Sequence, residues 1–469
     1  MFRLKKLVIV LEKHPAYVFL GLALIFGFIF IFTLAPLSGT DEVTHFPRVY
    51  QITDGTLWER KLPNDQYGGY LPSNINRMIN DYRNLSREPT SGQFLANTQK
   101  LNKEYGSIHN VGKQKAPAIF TSTVFYPPWA YIPSVIGVLI AKLSHLPLIW
   151  YVYLGRICSL LAWIAITAIA IRLMPSGKWL LVTIALLPTS LTQAATISAD
   201  GLVNGLSWLI IALTLAIIAK QVRLRWSILG VLTFLMVYLS IIKESYWLIA
   251  LFPFVVPISL FKTRLQGIVW RSVSAIGLAI ALVWFTINST KKVSNVVLTP
   301  TIGVNVNTKA QMHYLGHHLM AFTIRALWQP FTKSFDTIYL GIVGIYTNRL
   351  IYLSILIIGL LFFALYWGTR NTEWVPAFSR YRRRLALVAA LIIVGTYLLI
   401  ATSFYLTETS VGAAAINSIY GRYFLPLLPL LAVFPMAFRQ KHYAATALTV
   451  YVPVIISIIA LASTIMSIQ

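Results

Sequence analysis

Acidic side chains are scarce in this sequence, with 14 Asp and Glu against 39 Lys and Arg among 469 residues. Cysteine is nearly absent: Cys158 stands alone inside an apolar run, which excludes a disulfide framework and a cysteine metal site. Charged residues of both signs make up only 11% of the chain, while 57% is hydrophobic and the mean hydropathy is +0.69. Those values exclude an ordinary soluble domain. Also missing are a P-loop, a GxGxxG turn, a G-x-S-x-G elbow and an HExxH helix, so nucleotide chemistry has no support.

What is present is a series of apolar runs, each near the 20 residues that cross a hydrocarbon core. The fold class expected is an all-α polytopic membrane protein forming a single integral membrane domain over residues 1–469. The first run, about 16–36, exceeds a signal-peptide core and lacks a small-x-small cleavage site, so it is expected to be a retained helix. The net charge of +25 would suit nucleic acid, but the basic residues fall in small clusters between apolar runs; no nucleic acid is expected.

Those clusters set a topology: Arg3/Lys5/Lys6, Arg172/Lys178, Lys220/Arg223/Arg225, Lys262/Arg264/Arg271, Arg370 with Arg380 to Arg384, and Arg439/Lys441. If all face the cytoplasm, an even number of crossings separates each neighbouring pair. Runs at about 179–197 and 201–219, 226–242 and 246–261, 272–289 and 350–367, and 385–405 and 421–438 comply, and a last run at about 443–466 ends outside. Between Lys6 and Arg172 there are three runs, one too many. The segment from Tyr126 to Leu146 carries Pro127, Pro128, Pro133, Lys142 and His145, and is expected to lie along the outer interface. About eleven spans result, with the N-terminus cytoplasmic and the C-terminus outside. Twelve would place Arg172 and Lys178 outside, against the rule.

On this topology only Glu12 and Glu373 are cytoplasmic. The other acids lie outside or at the outer boundary, and none sits at mid-membrane, where secondary transporters place their ionisable groups. Two outer loops, 37–147 and 290–348, are long enough to shape a pocket. The first is expected to hold short interfacial helices, and the second an amphipathic helix on the bilayer surface.

Candidate site residues follow from these positions. "APLSGTDEVTHFPRVY" sets Asp41 and Glu42 where the chain leaves the first span. Adjacent carboxylates can share a divalent cation, or one can act as base while the other orients it. Asp41, His45 and Arg48 can share one helical face, a mixed surface for acid, base and phosphate. Asp200, in "TISADGLVNGL", is both a candidate helix cap and a candidate functional acid. Lys243, in "IIKESYW", and Arg422, in "SIYGRYFLP", supply cations at outer span ends, and Arg suits phosphate in particular. Arg156 lies a turn or two inside its span and needs a partner; Tyr423 adjoins Arg422. His313, His317 and His318 have helix-compatible ligand spacing without a matching carboxylate or cysteine, so metal binding there is the weaker reading.

The acidic pair after the first span, the proline-rich segment, the Asp at the next outer turn and the many-span body resemble the GT-C membrane glycosyltransferases. That superfamily includes the lipid A aminoarabinose transferases and the protein mannosyltransferases. More closely, "TDEVTHFPRVYQITDG", "ISADGLVNGLSW" and "GRYFLPLLPLL" resemble a bacterial family of predicted membrane proteins of unknown function, with Thr40 where that family often has proline. The resemblance implies a GT-C-like bundle and a polyprenyl-phosphate-linked sugar as donor at the outer face, with membrane lipid around it. The acceptor would be an envelope glycan or a lipid-linked molecule. Asp41 and Asp200, with Glu42 beside the first, would be the catalytic acids; Lys243, Arg422 and Arg48 would hold the donor phosphate; His45, Arg156 and Tyr423 would touch substrate. A divalent cation, Mg or Mn, serves some enzymes of the superfamily and not others, so the metal is left open. A transporter or flippase of lipid-linked saccharides is the competing expectation, and a noncatalytic scaffold the third.

Overall fold

The computed structural model describes residues 13–295 apart from 64–65, 86–90, 125, 221 and 223, then 306–332 and 375–438, with 337–338, 341–342, 363, 366 and 458. Apart from 363, 366 and 458, the runs expected to span at 350–367 and 443–466 lie outside the described residues. In chain order the elements begin with α1 (Pro15–Thr33), α2 (Glu42–Thr53), β1 (Arg60–Lys61), β2 (Tyr67–Pro72), α3 (Ser73–Leu85), α4 (Ser91–Tyr105) and β3 (Lys115–Ile119). They continue with α5 (Ile132–Leu143), α6 (Leu148–Leu173), α7 (Lys178–Ala185), α8 (Pro188–Ala194), α9 (Asp200–Ile218), α10 (Trp226–Ile242), α11 (Trp247–Leu251) and α12 (Arg264–Asn295). The last described helices are α13 (Thr308–His317), α14 (Leu319–Trp328), α15 (Arg382–Thr407) and α16 (Val433–Phe438).

Among the described residues, five helical segments are long and apolar enough to cross a membrane: Pro15–Thr33, Leu148–Leu173, Asp200–Ile218, Arg264–Trp284 and Pro376–Thr407. The protein is a multi-pass, mostly helical membrane protein. α9 is the hub, with 89% of its apolar window buried against 28% for α12. α12 therefore turns a continuous apolar flank outward, including Ile268, Val273, Ile276, Ile280 and Val283, as a lipid-facing helix does.

Several apolar runs that the sequence suggested as spans are broken rather than continuous. Proline is the cause, since it lacks an N–H and its ring clashes with the carbonyl four residues back. Pro188 separates α7 from α8, Pro253 and Pro257 reduce the segment after α11 to 3₁₀ turns, and Pro426 and Pro429 hold Gly421–Ala432 in a 3₁₀ helix. Side chains take up carbonyls at these breaks: Ser190 donates to Ile184 O at 2.7 Å, Arg271 Nη2 to Val256 O at 2.6 Å, and Trp208 Nε1 to Leu425 O at 3.0 Å. Broken helices survive inside a bilayer only where neighbours satisfy the freed backbone in this way.

α1 and α6 fix the level of the functional end. They run antiparallel, with the Arg172 guanidinium over the Tyr17 ring, Phe19 edge-on to Trp163, Gly27 against Leu160, and Arg156 reaching the carbonyls of Ile31 and Leu34. With 19 residues against 26, α1 is about 28 Å long and α6 about 39 Å. α1 is thus exhausted near Arg156, and the first turns of α6 project beyond it.

α5 occupies that projecting zone. Its 12 residues, about 18 Å, are too few to span. It turns back at His145 (φ 51°) and runs antiparallel beside α6. Ser134 and Ser159 share a 2.6 Å hydrogen bond, and Gly137 meets the α6 backbone so closely that a Cβ would fall 2.1 Å from Leu154 O. Lys142 and Lys115 both hold Asp54, at 2.6 and 2.8 Å, clasping α5 and β3 to the end of α2. Burial opposes that carboxylate, but the two ammonium groups outweigh it and keep Asp54 below its ordinary range.

The first loop adds a small sheet to the otherwise helical protein. Beside α2, α3 and α4 it contains an antiparallel sheet of order β1-β2-β3, in which Gly69 pairs with Ala118. α13 and α14, broken at His318, dock on α15 through Gln311 to Tyr405 O (3.1 Å) and Tyr397 to Ala326 O (2.5 Å), rather than forming one free-lying helix.

Candidate functional site

The acidic pair at the end of α1 is split by the fold. Leu37 and Asp41 both take left-handed backbone, at φ 61° and 58°, so consecutive carboxylates point apart. Glu42 turns inward and is fully buried against Arg156, itself fully buried. Arg156 Nε and Nη2 form a two-pronged contact with the Glu42 oxygens at 2.8 and 2.6 Å. The remaining donors of Arg156 go to the carbonyls of Ile31, Leu34 and Ala35 at 2.8–2.9 Å. Glu42 in turn accepts the backbone N–H of Gly39 at 3.1 Å and of Ile197 at 2.9 Å. Every partner is internal, so where the sequence reading expects an accessible catalytic acid at Glu42 and a substrate contact at Arg156, the structure has a buried ion pair. Together they pin α1, α2, α6 and the loop before α9.

Asp41 turns outward, its side chain 59% exposed, and accepts a hydrogen bond from Arg422 Nη2 at 3.0 Å. These residues are 381 positions apart in sequence. Arg422 lies 5.2 Å from the Tyr420 ring and 5.0 Å from that of Tyr423, and also donates to Tyr423 Oη at 3.0 Å. Among the described residues its Nε is buried without a hydrogen-bond partner. Gly421 is dictated by close passage of another segment, since a Cβ there would sit 1.8 Å from Ile338 O.

Lys243 also lies over Tyr423, its Nζ 5.6 Å from the ring centre. It closes α10 and pairs with Asp200, both largely buried at 12% and 17% exposure. Asp200 begins α9 but does not cap it: no side-chain cap bond forms, and its carboxylate goes to Lys243 and accepts from Gln193 Nε2 at 3.3 Å. Gln193 is held by Asn204 at 2.8 Å. Asp41, Asp200, Lys243, Arg422 and Tyr423 are thus one cluster at the end of the bundle where α1 and α10 finish and α9 begins.

His45 faces this cluster from α2. It is 6% exposed, its Nδ1 is 2.6 Å from Tyr131 Oη, and Tyr126 lies edge-on at 5.6 Å. Burial foremost, with Lys243 and Arg422 adding to it against Asp200 and Asp41, lowers the imidazole to about 4, so it is neutral near pH 7. The unfolded chain therefore binds a proton between pH 6.5 and 4 that the folded chain refuses, and stability falls as pH drops through that window. At pH 5 the loss from His45 is about 2 kcal/mol. Unfolding midpoints at pH 7 and pH 5 should differ less in His45→Gln than in the parent; an equal difference would remove His45 as the source.

Arg48 does not reach the cluster. It is 1% exposed and committed to Gln51 Oε1 (2.6 Å), Leu57 O (2.7 Å) and Tyr126 O (3.2 Å), so the expected phosphate contact is replaced by a tie between α2 and the Tyr126 segment.

Tyr126, Tyr131, Tyr420, Gln193 and Glu408 were not among the residues expected at the site. Glu408 follows α15 within electrostatic range of Asp41, and burial chiefly, with Asp41 adding, pushes its carboxyl up. The aromatic flanks of "YGRYF" were a usable signal for Tyr420, because Arg between two tyrosines is the pattern of a cation–π pair. Tyr126 and Gln193 gave none. Among the described residues no three His, Cys, Asp or Glu side chains are grouped to hold a metal ion. Asp41 and Asp200 each already face a cation, so this donor set does not fit a preformed metal centre. His313 and His317 face each other at 4.5 Å, whereas His318 turns to Tyr314 at 4.4 Å.

A family model described as a predicted membrane protein (DUF2142) matches residues 24–431. The chain belongs to that family of membrane proteins. No curated protein and no solved structure matches it.

Proposed function

We propose that the protein is an inverting glycosyltransferase of GT-C type with about eleven spans, acting at the outer membrane face on a sugar carried by a polyprenyl phosphate. One observation carries this reading: the Asp41–Arg422 and Asp200–Lys243 pairs, drawn from four distant segments, sit against the shared ring of Tyr423. A glycosyl phosphate departs with its charge on oxygen, so the leaving group calls for cations and the acceptor for a base. A glycosidase, by contrast, needs a second carboxyl as acid. Basic residues at the opposite end of the bundle, among them Arg172, Lys178, Lys220, Arg264 and Arg382, support an outward-facing cluster by the positive-inside rule.

In this reading Asp41 accepts the proton of the acceptor hydroxyl as its oxygen attacks the anomeric carbon opposite the phosphate. The bond from that carbon to the phosphate oxygen breaks, its electron pair leaving on the phosphate, and Arg422 and Lys243 take up the charge. Inversion at the anomeric carbon follows from in-line attack. Asp200 keeps Lys243 in place. A sugar with its acceptor, an envelope glycan or lipid-linked molecule, would enter from the exposed side of Asp41.

Purified protein given a prenyl-phosphate sugar and an envelope-glycan extract should release free prenyl phosphate and label the glycan. Movement of the intact lipid across vesicles without a covalent product would instead make the protein a flippase.

A further inference from the structure

We infer that the site works by anion exchange: a lipid-linked phosphate binding at Arg422 displaces Asp41, which is free to accept a proton only while the phosphate is in place. This rests on the reading of Arg422 as phosphate ligand and Asp41 as base. The two ion pairs differ in a way that selects one for exchange. Lys243 and Asp200 are 12% and 17% exposed, and Asp200 has Gln193 as a second partner. Asp41 is 59% exposed and touches Arg422 through a single donor nitrogen. Exposed single-point pairs are weak, whereas breaking a buried pair leaves a stranded charge.

Charge balance gives the exchange a direction. Among the described residues, with His45 neutral, Asp41 and Asp200 cancel Arg422 and Lys243, and Glu408 beside Asp41 adds no positive charge, so the cluster at rest has no net positive charge to attract an anion. An incoming phosphate must therefore replace a carboxylate, and the exposed one is Asp41. Arg422 is ready for the new partner. Its Nε is buried and has no hydrogen-bond partner among the described residues, and the Tyr420 and Tyr423 rings hold the guanidinium where it is when Asp41 leaves. Asp41 is built to leave: it sits at the N-cap of α2 at φ 58°, and its side chain makes no cap bond. The consequence is order, in that the base is released by the donor and an acceptor arriving first meets an occupied carboxylate.

The test measures binding to the detergent-solubilised full chain, with farnesyl phosphate, farnesol and inorganic phosphate as probes and intrinsic tryptophan fluorescence as readout. Asp41→Asn should bind farnesyl phosphate roughly two- to fivefold more tightly than the parent, because the competing carboxylate is gone. Asp41→Gly, equally at ease with a positive φ, should do the same. In an Arg422→Gln background the gain should vanish, and farnesol should bind all variants alike. Equal or weaker binding of farnesyl phosphate by both Asp41 variants would overturn the exchange while leaving the lipid-phosphate reading intact. Parent protein that binds farnesyl phosphate no better than farnesol would overturn both. Inorganic phosphate that binds as well as farnesyl phosphate, and more tightly to Asp41→Asn, would uphold the exchange and transfer it to a soluble anion.

Discussion

Asp41→Asn is expected to lower transfer by two to four orders of magnitude, the usual contribution of a general base, while the protein accumulates and unfolds as the parent does. The separation of the two effects follows from the site. The Asp41 side chain is 59% exposed, its one side-chain partner among the described residues is a nitrogen of Arg422, and asparagine is among the few residues that adopt φ 58° readily. Stability thus has little to lose. Turnover has everything to lose, since asparagine cannot accept the acceptor's proton. The measurement is product formation per folded molecule, with the unfolding midpoint taken on the same preparation. An Asp41→Asn protein that transfers sugar at the parental rate would remove Asp41 as the base and leave the cluster as a binding site only.

Much of this arrangement was legible in the sequence, because charge inside or beside a membrane is expensive and its placement is informative. Counting basic clusters and apolar runs put Asp41, Asp200, Lys243 and Arg422 at one end of the bundle, and the fold brings these four together. The same count makes the run at Tyr126 to Leu146 one crossing too many, and the helix the fold builds there, α5, has 12 residues, about 18 Å. What charge counting could not reveal was direction on the scale of a single side chain. Asp41 and Glu42 are neighbours in sequence, and only the left-handed turn at Asp41 sends one to the surface and the other into the core. Arg48 shares a helical face with His45, as its spacing required, yet carbonyls at Leu57 and Tyr126 claim it first. The sheet around Gly69 was hidden for a different reason, since strands of two to six residues carry too little alternation to stand out from a polar loop.

Glu42→Gln is expected to cost about 3–5 kcal/mol of stability, the range seen when one partner of a buried ion pair is removed. Arg156 would keep its charge, fully buried, with only neutral acceptors around it: the carbonyls of Ile31, Leu34 and Ala35 and the single amide oxygen of the glutamine. Those carbonyls are themselves informative. The first two fall in the unpaired last turn of α1, where a helix leaves its final acceptors open, so Arg156 serves as the cap that the "TLAPL" sequence does not provide. A compensating pair, Glu42→Leu with Arg156→Met, should recover part of the loss by removing both charges. Recovery cannot be complete, because the amides of Gly39 and Ile197 and the three carbonyls would all lose partners. Unfolding in detergent, followed by tryptophan fluorescence, reads the parent and both variants on one scale. A structural role predicts that activity per folded molecule survives in the double variant; a Glu42→Gln protein of parental stability that fails only in turnover would return Glu42 to the chemistry.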